Sequence, residues 1–215
     1  DLHLSLRRQR QMCIRDSLSA TPLPRKSNLL ETRMRTALGV MAQKGATATR
    51  CWRVVMGDNA GNFGMGAKFE DFEAAMCAFD EAMQDPIFQD LSKQRWDDPA
   101  GKGVGPFMMR DLYETIDLST PVHIVRTYQI SRNNIEKAIE IMKEIGKLSP
   151  SNTLSAVVPV MAPQMDQISA IYHFDSMGSA GKYMDEISMK SEFQELLKQA
   201  SNLGTLIRAG FNIRM

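Results

Sequence analysis

The chain has 215 residues, of which 43% are hydrophobic and 24% charged, and its formal net charge is +1. This balance is typical of a globular protein and excludes both a disordered chain and a strongly basic nucleic-acid-binding chain. No apolar run approaches the ~20 residues that a membrane-spanning helix needs. We therefore expect neither nucleic acid nor a membrane as a partner.

Residues 1–17, DLHLSLRRQRQMCIRDS, combine four arginines with a lone Cys13 and show no hydrophobic period. They lack the apolar core of a secretory signal. Reverse translation of residues 11–17 reproduces the mosaic-end sequence of a transposon used for sequencing libraries, and residues 7–10 match the adjoining read primer. We interpret residues 1–17 as translated adapter on a metagenomic gene fragment. The native start, with any signal peptide, would then be missing.

The remaining cysteines, Cys51 and Cys77, have no pairing or metal-binding spacing. They are interpreted as two buried thiols in a reducing compartment, which predicts a cytoplasmic protein. Outside residues 1–17 the chain has two histidines, and it has no cofactor motif. We expect no metal and no cofactor.

In the first half of the chain, hydrophobic periodicity predicts a helix at 28–43, strands at 47–56 and 62–69, a helix from Glu70 and a strand at 106–113. The glycine-rich stretch RWDDPAGKGVG before that last strand predicts a surface loop. In the second half, strands are predicted at 122–130, 153–162, 166–174 and 205–213, and helices from Ile135 and at 179–198. Pro159 predicts an edge position for its strand, because proline cannot donate to a sheet ladder.

The two halves repeat at a constant spacing of 105 residues, as from Phe69 to Phe174. Residues that recur at this spacing are Phe69, Ala75, Asp80, Glu81, Phe88, Gln89 and Leu91. An ungapped register through several elements predicts a duplication, with units at 18–116 and 117–215. The same spacing maps the first strand onto residues 17–25, so that its completeness would depend on adapter residues. Each unit has the order β-α-β-β-α-β of a ferredoxin-like fold.

Tandem units of this kind resemble the dimeric α+β barrel superfamily, which includes the antibiotic-biosynthesis monooxygenases and the NIPSNAP proteins. The resemblance covers residues 18–215 and depends on the topology and on the helix pattern A...DE......FQ.L after an aromatic residue. It implies an α+β fold in which two ferredoxin-like sheets pack face to face as a barrel within one chain. The superfamily includes cofactor-independent oxygenases, isomerases, haem enzymes and proteins without a known reaction, so the fold alone does not select a function.

Alternation along the 166–174 strand places Ile168, Ala170, Tyr172 and Phe174 under the helices and His173 toward the other sheet. His123 and His173 are predicted to be neighbours on adjacent antiparallel strands. They are candidates for metal binding or proton transfer, with hydrogen-bonded structural histidines as the favoured alternative.

Two arginine–aromatic pairs are candidate ligand-binding residues, because an arginine beside an aromatic ring can hold an anionic planar molecule. They are Arg50 with Trp52 and Arg126 with Tyr128, and Tyr172 is added to them. A packing role at a sheet edge or interface is the favoured alternative for both pairs. The preferred hypothesis is a protein that binds a small apolar or aromatic molecule under the helices or between the sheets. The alternatives are a cofactor-independent monooxygenase or isomerase, and a non-catalytic structural or interaction module that forms homo-oligomers through outer helices or sheet edges.

Overall fold

A computed structural model describes residues 14–149 and 153–215 of the chain. The strands in these ranges are β1 (Ile14–Pro22), β2 (Ala48–Gly57), β3 (Phe63–Phe69), β4 (Gly101–Tyr113), β5 (Val122–Ile130), β6 (Leu154–Met161), β7 (Gln167–Phe174) and β8 (Gly204–Arg214). The helices are α1 (Ser27–Gln43), α2 (Phe72–Gln84), α3 (Pro86–Asp97), α4 (Ile135–Leu148), α5 (Met177–Glu186) and α6 (Ser191–Ser201). A short 3-10 turn, Arg132–Asn134, precedes α4.

All eight strands join in one closed antiparallel barrel with the order β1-β3-β2-β8-β5-β7-β6-β4. Within it, β4-β1-β3-β2 and β8-β5-β7-β6 each have the strand order of a ferredoxin-like unit. The two units meet along the β2–β8 and β4–β6 pairings. The predicted fold class is confirmed, and we refer to β1–β4 with α1–α3 as the first half and to β5–β8 with α4–α6 as the second half. The described strands close on themselves, and oligomer contacts through outer helices or sheet edges remain a prediction.

Each half has a core between its part of the barrel and its helices. In the first half, α2 presents Ala75, Ala78 and Ala82 at helical spacing, and all three are at most 1% exposed. They pack in one cluster with Phe69, which ends β3. The second half has the corresponding cluster around Phe174, which ends β7. The face predicted to lie under the helices does so.

Of the two cysteines predicted to be buried, one is exposed on the outer side of α2. Cys51 on β2 is buried, and burial raises the pKa of its thiol to about 11. Cys77 was also predicted to be buried, but it is exposed. Its neighbours Ala75 and Ala78 take the core-facing positions, so Cys77 turns to the outer side.

The prediction of a single long helix before the last strand of each half is wrong, because two shorter helices occupy each of these segments. Asp85 ends α2 and caps α3, accepting a hydrogen bond from Ile87 N at 2.9 Å, and Pro86 occupies the first turn. In the second half, α5 starts with a capping box between Ser176 and Ser179 and ends at Glu186, before α6 begins at Ser191.

One prediction around the β4–β6 pairing is also wrong. Most of the predicted glycine-rich loop is regular, since α3 extends to Asp97 and β4 starts at Gly101. Pro159 pairs with Met109 of β4 at a register shift and lies beyond the last residue of β6 that pairs with β7, so it pairs with a strand on one side only. Such a local edge position tolerates the missing N–H of proline.

The first strand lies three residues earlier than the spacing of 105 predicts. Ile14 pairs with Phe69 and Val122 with Phe174, so β1 and β5 correspond at a spacing of 108. The connection from β1 to α1 is longer than the single residue Ser131 between β5 and the following turn, and it absorbs the difference. Residues 14–17 of the segment interpreted as adapter lie in β1, and residues 1–13 lie outside the described residues.

The β4–β5 connection, residues 114–121, joins the two halves and covers one end of the barrel. Its Ile116 and Leu118 are 2% and 3% exposed. They pack against Val157 of β6 and Ile171 of β7, which face the barrel interior. None of the helices in the described part of the chain is long and apolar enough to span a membrane.

Candidate functional site

His123 and His173 lie directly opposite each other on β5 and β7, as predicted. Their ring centroids are 4.5 Å apart in an edge-to-face arrangement. Each residue is 4% exposed. The pair therefore lies inside the barrel, next to the β4–β5 connection.

Arg50 links this pair to the connection. Its Nη1 lies 2.9 Å from His123 Nε2 and also donates to the carbonyl oxygen of Thr120, while Nη2 donates to Pro121 O at 3.3 Å. Arg50 is only 2% exposed. A buried guanidinium needs such acceptors, because an unsatisfied charge in the interior is costly. We call Arg50, His123, His173 and Ser155 the interior cluster.

Ser155 of β6 completes the cluster, with its Oγ 3.0 Å from His173 Nε2. At its edge, Asp117 Oδ1 accepts hydrogen bonds from the side chain and backbone N–H of Ser119 at 2.6 and 2.8 Å. The Ser119 hydroxyl, with the nearby His173 among lesser causes, holds the pKa of the Asp117 carboxyl below its usual range. The connection thus has a fixed anion close to two histidines.

Trp52 lies on the same face of β2 as Arg50, and its indole covers Gly64 of β3. A Cβ added at Gly64 would lie 2.2 Å from Trp52 Cε2. The absence of a side chain at Gly64 leaves room for the indole.

The other predicted residues lie on the opposite face of the sheet, under the helices of the second half. Tyr128 and Tyr172 line an apolar cavity of about 30 Å³ between β5, β7, α4 and α6. The remaining lining residues are Ile130, Ala138, Ile141, Met142, Ile145, Ile168, Ala170, Leu197, Ala200, Leu203 and Gly204. A cavity of this size holds about one or two water molecules and is smaller than an aromatic ring. We call this cavity the second-half pocket.

Arg126 lies beside Tyr172, one of the residues that line the second-half pocket. Its guanidinium carbon is 5.4 Å from the centre of the Tyr172 ring, and its Nη2 is 4.0 Å from Met184 Sδ. Tyr172 also contacts Tyr183 of α5, with ring centroids 5.8 Å apart. Arg126 is only partly buried, so its charge lies at the boundary between solvent and an aromatic cluster.

The tyrosines around Arg126 are held in the phenol form. Burial raises the pKa of Tyr183 to about 12, and it raises the pKa of Tyr128 and that of Tyr172 as well. The positive charge of Arg126 opposes the effect of burial at all three phenols. The same charge would stabilise an anion that a ligand brought into this position.

The predicted residues therefore form two separate groups, one inside the barrel and one under the helices. Sequence reasoning missed Ser155 and Tyr183. The signal for Ser155 was its alternation with Val157 along β6, and the signal for Tyr183 was its helical spacing of three from the buried Ala180.

Comparison with solved structures identifies the same fold over nearly the whole chain. A candidate monooxygenase from Fusobacterium nucleatum superposes with a TM-score of 0.63 at 8% identity, covering 95% of this chain and 93% of the other. One from Lactobacillus acidophilus gives 0.61 at 12% identity, covering 94% of both chains. An anthrone oxidase-like protein gives 0.64 at 9% identity, covering 95% and 92%. The superpositions establish a shared fold, and identities of 8–12% leave the function open.

No protein-family model matches the sequence, and neither does any curated protein. Among the described residues, no group of three or more histidine, cysteine, aspartate or glutamate side chains could hold a metal ion. The residues that line the second-half pocket include neither histidine nor cysteine.

Proposed function

We propose that the protein binds a small, planar, weakly acidic aromatic molecule in the second-half pocket. The observation that carries the proposal is that Tyr128 and Tyr172 line one apolar cavity while the guanidinium of Arg126 lies beside the Tyr172 ring. The apolar side chains would enclose the ring system of the ligand. The guanidinium of Arg126 would pair with an ionised oxygen, since charge-assisted hydrogen bonds are the stronger ones.

The pocket must widen to admit such a ligand, and the side chains between it and the outer surface are where it can open. Ile141 of α4 and Leu203 after α6 line both the pocket and a groove on the outer surface between these helices. The two spaces are thus separated by apolar side chains. Rotation of these side chains, with a small outward shift of α6, would join the groove to the pocket.

Binding of 2-naphthoate, compared with uncharged naphthalene, tests the proposal. We expect Arg126→Met to weaken naphthoate binding about tenfold, as the loss of a charged hydrogen bond implies, and to leave naphthalene binding unchanged. The exposed Arg132 supplies the matched control Arg132→Met. Ala200→Leu fills the pocket and should abolish binding of both compounds. Equal naphthoate affinities in the two arginine variants, or unchanged binding in Ala200→Leu, would contradict the proposal.

A second candidate function is oxidation of the bound molecule by O2 without a cofactor. The similarity in fold to two candidate monooxygenases and an anthrone oxidase-like protein favours it. Arg126 would stabilise the ionised form of a phenolic or anthrone-type substrate. The test is O2 consumption with anthrone in the presence of a chelator, comparing wild type with Arg126→Met. Equal rates in both would exclude this role for the residue.

A further inference from the structure

One nitrogen of the interior cluster makes two contacts with opposite requirements. His123 Nε2 lies 2.9 Å from Arg50 Nη1 and 3.1 Å from the carbonyl oxygen of Asp117. A guanidinium can only donate, so the first contact requires a lone pair on Nε2. A carbonyl can only accept, so the second requires a hydrogen on the same atom. The two hydrogen bonds exclude each other.

We propose that His123 is a pH-controlled latch for the β4–β5 connection. With its proton on Nδ1, the neutral imidazole accepts from Arg50, and Arg50 also holds the carbonyl oxygens of Thr120 and Pro121. When Nε2 gains a proton, His123 donates to Asp117 O instead. Arg50 then loses an acceptor and faces a second positive charge, so its hold on the connection weakens.

Charged groups on every neighbouring element influence this titration. Arg50 on β2 and Arg214 on β8, whose Nη1 donates to Ser119 O at 3.1 Å, oppose a charge on His123. His173 on β7 does the same when it is protonated. The carboxylates of Asp117 and of Asp111 on β4 favour the charge, and Asp111 Oδ2 accepts from the backbone N–H of Ile116 at 3.4 Å. Charges of both signs therefore surround His123.

The latch controls the β4–β5 connection, whose Ile116 and Leu118 fill one end of the barrel. The Ile116 amide of the connection is buried and donates to Asp111 of β4, so local opening would expose this amide to exchange with solvent. The latch lies inside the barrel, on the other face of the sheet from the second-half pocket. It is therefore independent of the proposed ligand binding.

Hydrogen exchange across the pH range tests the latch. Protection factors, corrected for the intrinsic pH dependence of exchange, should fall about tenfold in residues 114–121 between pH 7.5 and 5.5, as the loss of one or two hydrogen bonds implies. The connection at residues 23–26, which contains no histidine, is the internal reference and should not change. In His123→Gln, whose amide oxygen can still accept from Arg50 and does not titrate in this range, the fall should disappear. The same fall in His123→Gln would overturn the proposal.

A measurement on the wild-type protein keeps the test open if His123→Gln fails to fold. Nitrogen chemical shifts of the histidine side chains distinguish the two neutral tautomers. We expect His123 at pH 8 to carry its proton on Nδ1, and its titration to coincide with the loss of protection in residues 114–121. A proton on Nε2 at pH 8, or loss of protection at a pH where His123 does not titrate, would overturn the latch.

Discussion

The two halves of the molecule share one fold but close their helical layers differently. In the first half, Arg33 of α1 donates to the Gln94 side chain at 3.0 Å and to Asp98 O at 2.6 Å. In the second half, the residues 105 positions later are Ala138, Gln199 and Leu203, and the apolar Ala138 and Leu203 line the second-half pocket. A layer fastened by directional bonds leaves little freedom, whereas one built from apolar side chains can rearrange. The difference supports a structural role for the first layer and ligand binding for the second.

The largest expected difference between the halves is at the phenylalanines of the last helices. Phe193 is fully buried and packs against Tyr183, whereas Phe88 is only partly buried. Phe193→Ala should lower the free energy of unfolding by about 4 kcal/mol and Phe88→Ala by about half as much. Urea denaturation measures both. Equal losses would mean that the two layers are equally well packed.

Inside the barrel, the two halves differ at Gly64 of β3. In the first half, the Trp52 indole lies over Gly64. In the second half, the corresponding position of β7 is Ser169, whose hydroxyl is hydrogen-bonded to that of Thr127 at 2.9 Å. Gly64→Ala should destabilise the protein by about 2 kcal/mol, because the new Cβ collides with the indole. Gly39→Ala on α1, where nothing lies within 4 Å, should instead be slightly stabilising. Thermal unfolding distinguishes the two, and a neutral Gly64→Ala would contradict the packing.

Alkaline pH should act mainly on the second half, which has three of the four tyrosines. A phenol whose pKa in the folded state lies above its unfolded value of about 10 contributes stability that is present below pH 10. That contribution is lost as pH rises toward about 12, the pKa of Tyr183. At pH 11, Tyr183→Phe should therefore have a free energy of unfolding about 1.4 kcal/mol higher, relative to wild type, than at neutral pH. Tyr113→Phe, at a less buried phenol, should recover less, and the reverse order would contradict the assignment.

The smallest expected effect concerns the polar layer of the first half. Arg33→Ala removes two hydrogen bonds and should cost about 1 kcal/mol in unfolding free energy. Arg35→Ala removes only a surface ion pair with Glu31 on the same helix and should cost about 0.3 kcal/mol. If both variants lost the same amount, the bonds of Arg33 would not hold the layer together.

Sequence periodicity was sufficient for the strand order, the two faces of β7 and the contact between His123 and His173. These follow from alternation and from antiparallel pairing, which leave few alternatives in a ferredoxin-like unit. The duplication predicted from the spacing of 105, with its unit boundaries, remains a prediction. The breaks between α2 and α3 and between α5 and α6 were missed, although Pro86 marked the first of them.

The grouping of candidate residues could not be read from the sequence. Both arginine–aromatic pairs have the same spacing, yet Arg50 turns into the barrel and Arg126 toward the helices. The orientation of β2 and β5 depends on which sheet face receives helices, and this is fixed only when both halves pack. The role of the β4–β5 connection could not be predicted either, because the apolar Ile116 and Leu118 in a polar stretch do not indicate which surface they cover.

The β4–β5 connection has a consequence for how the barrel assembles. In a barrel formed by two separate chains, closure of the β2–β8 and β4–β6 pairings would be a bimolecular reaction. Here the short tether raises the effective concentration of one half around the other to roughly the millimolar range. The unfolding midpoint should then be independent of protein concentration, and cleavage of the backbone within residues 114–121 would convert a unimolecular equilibrium into a concentration-dependent one.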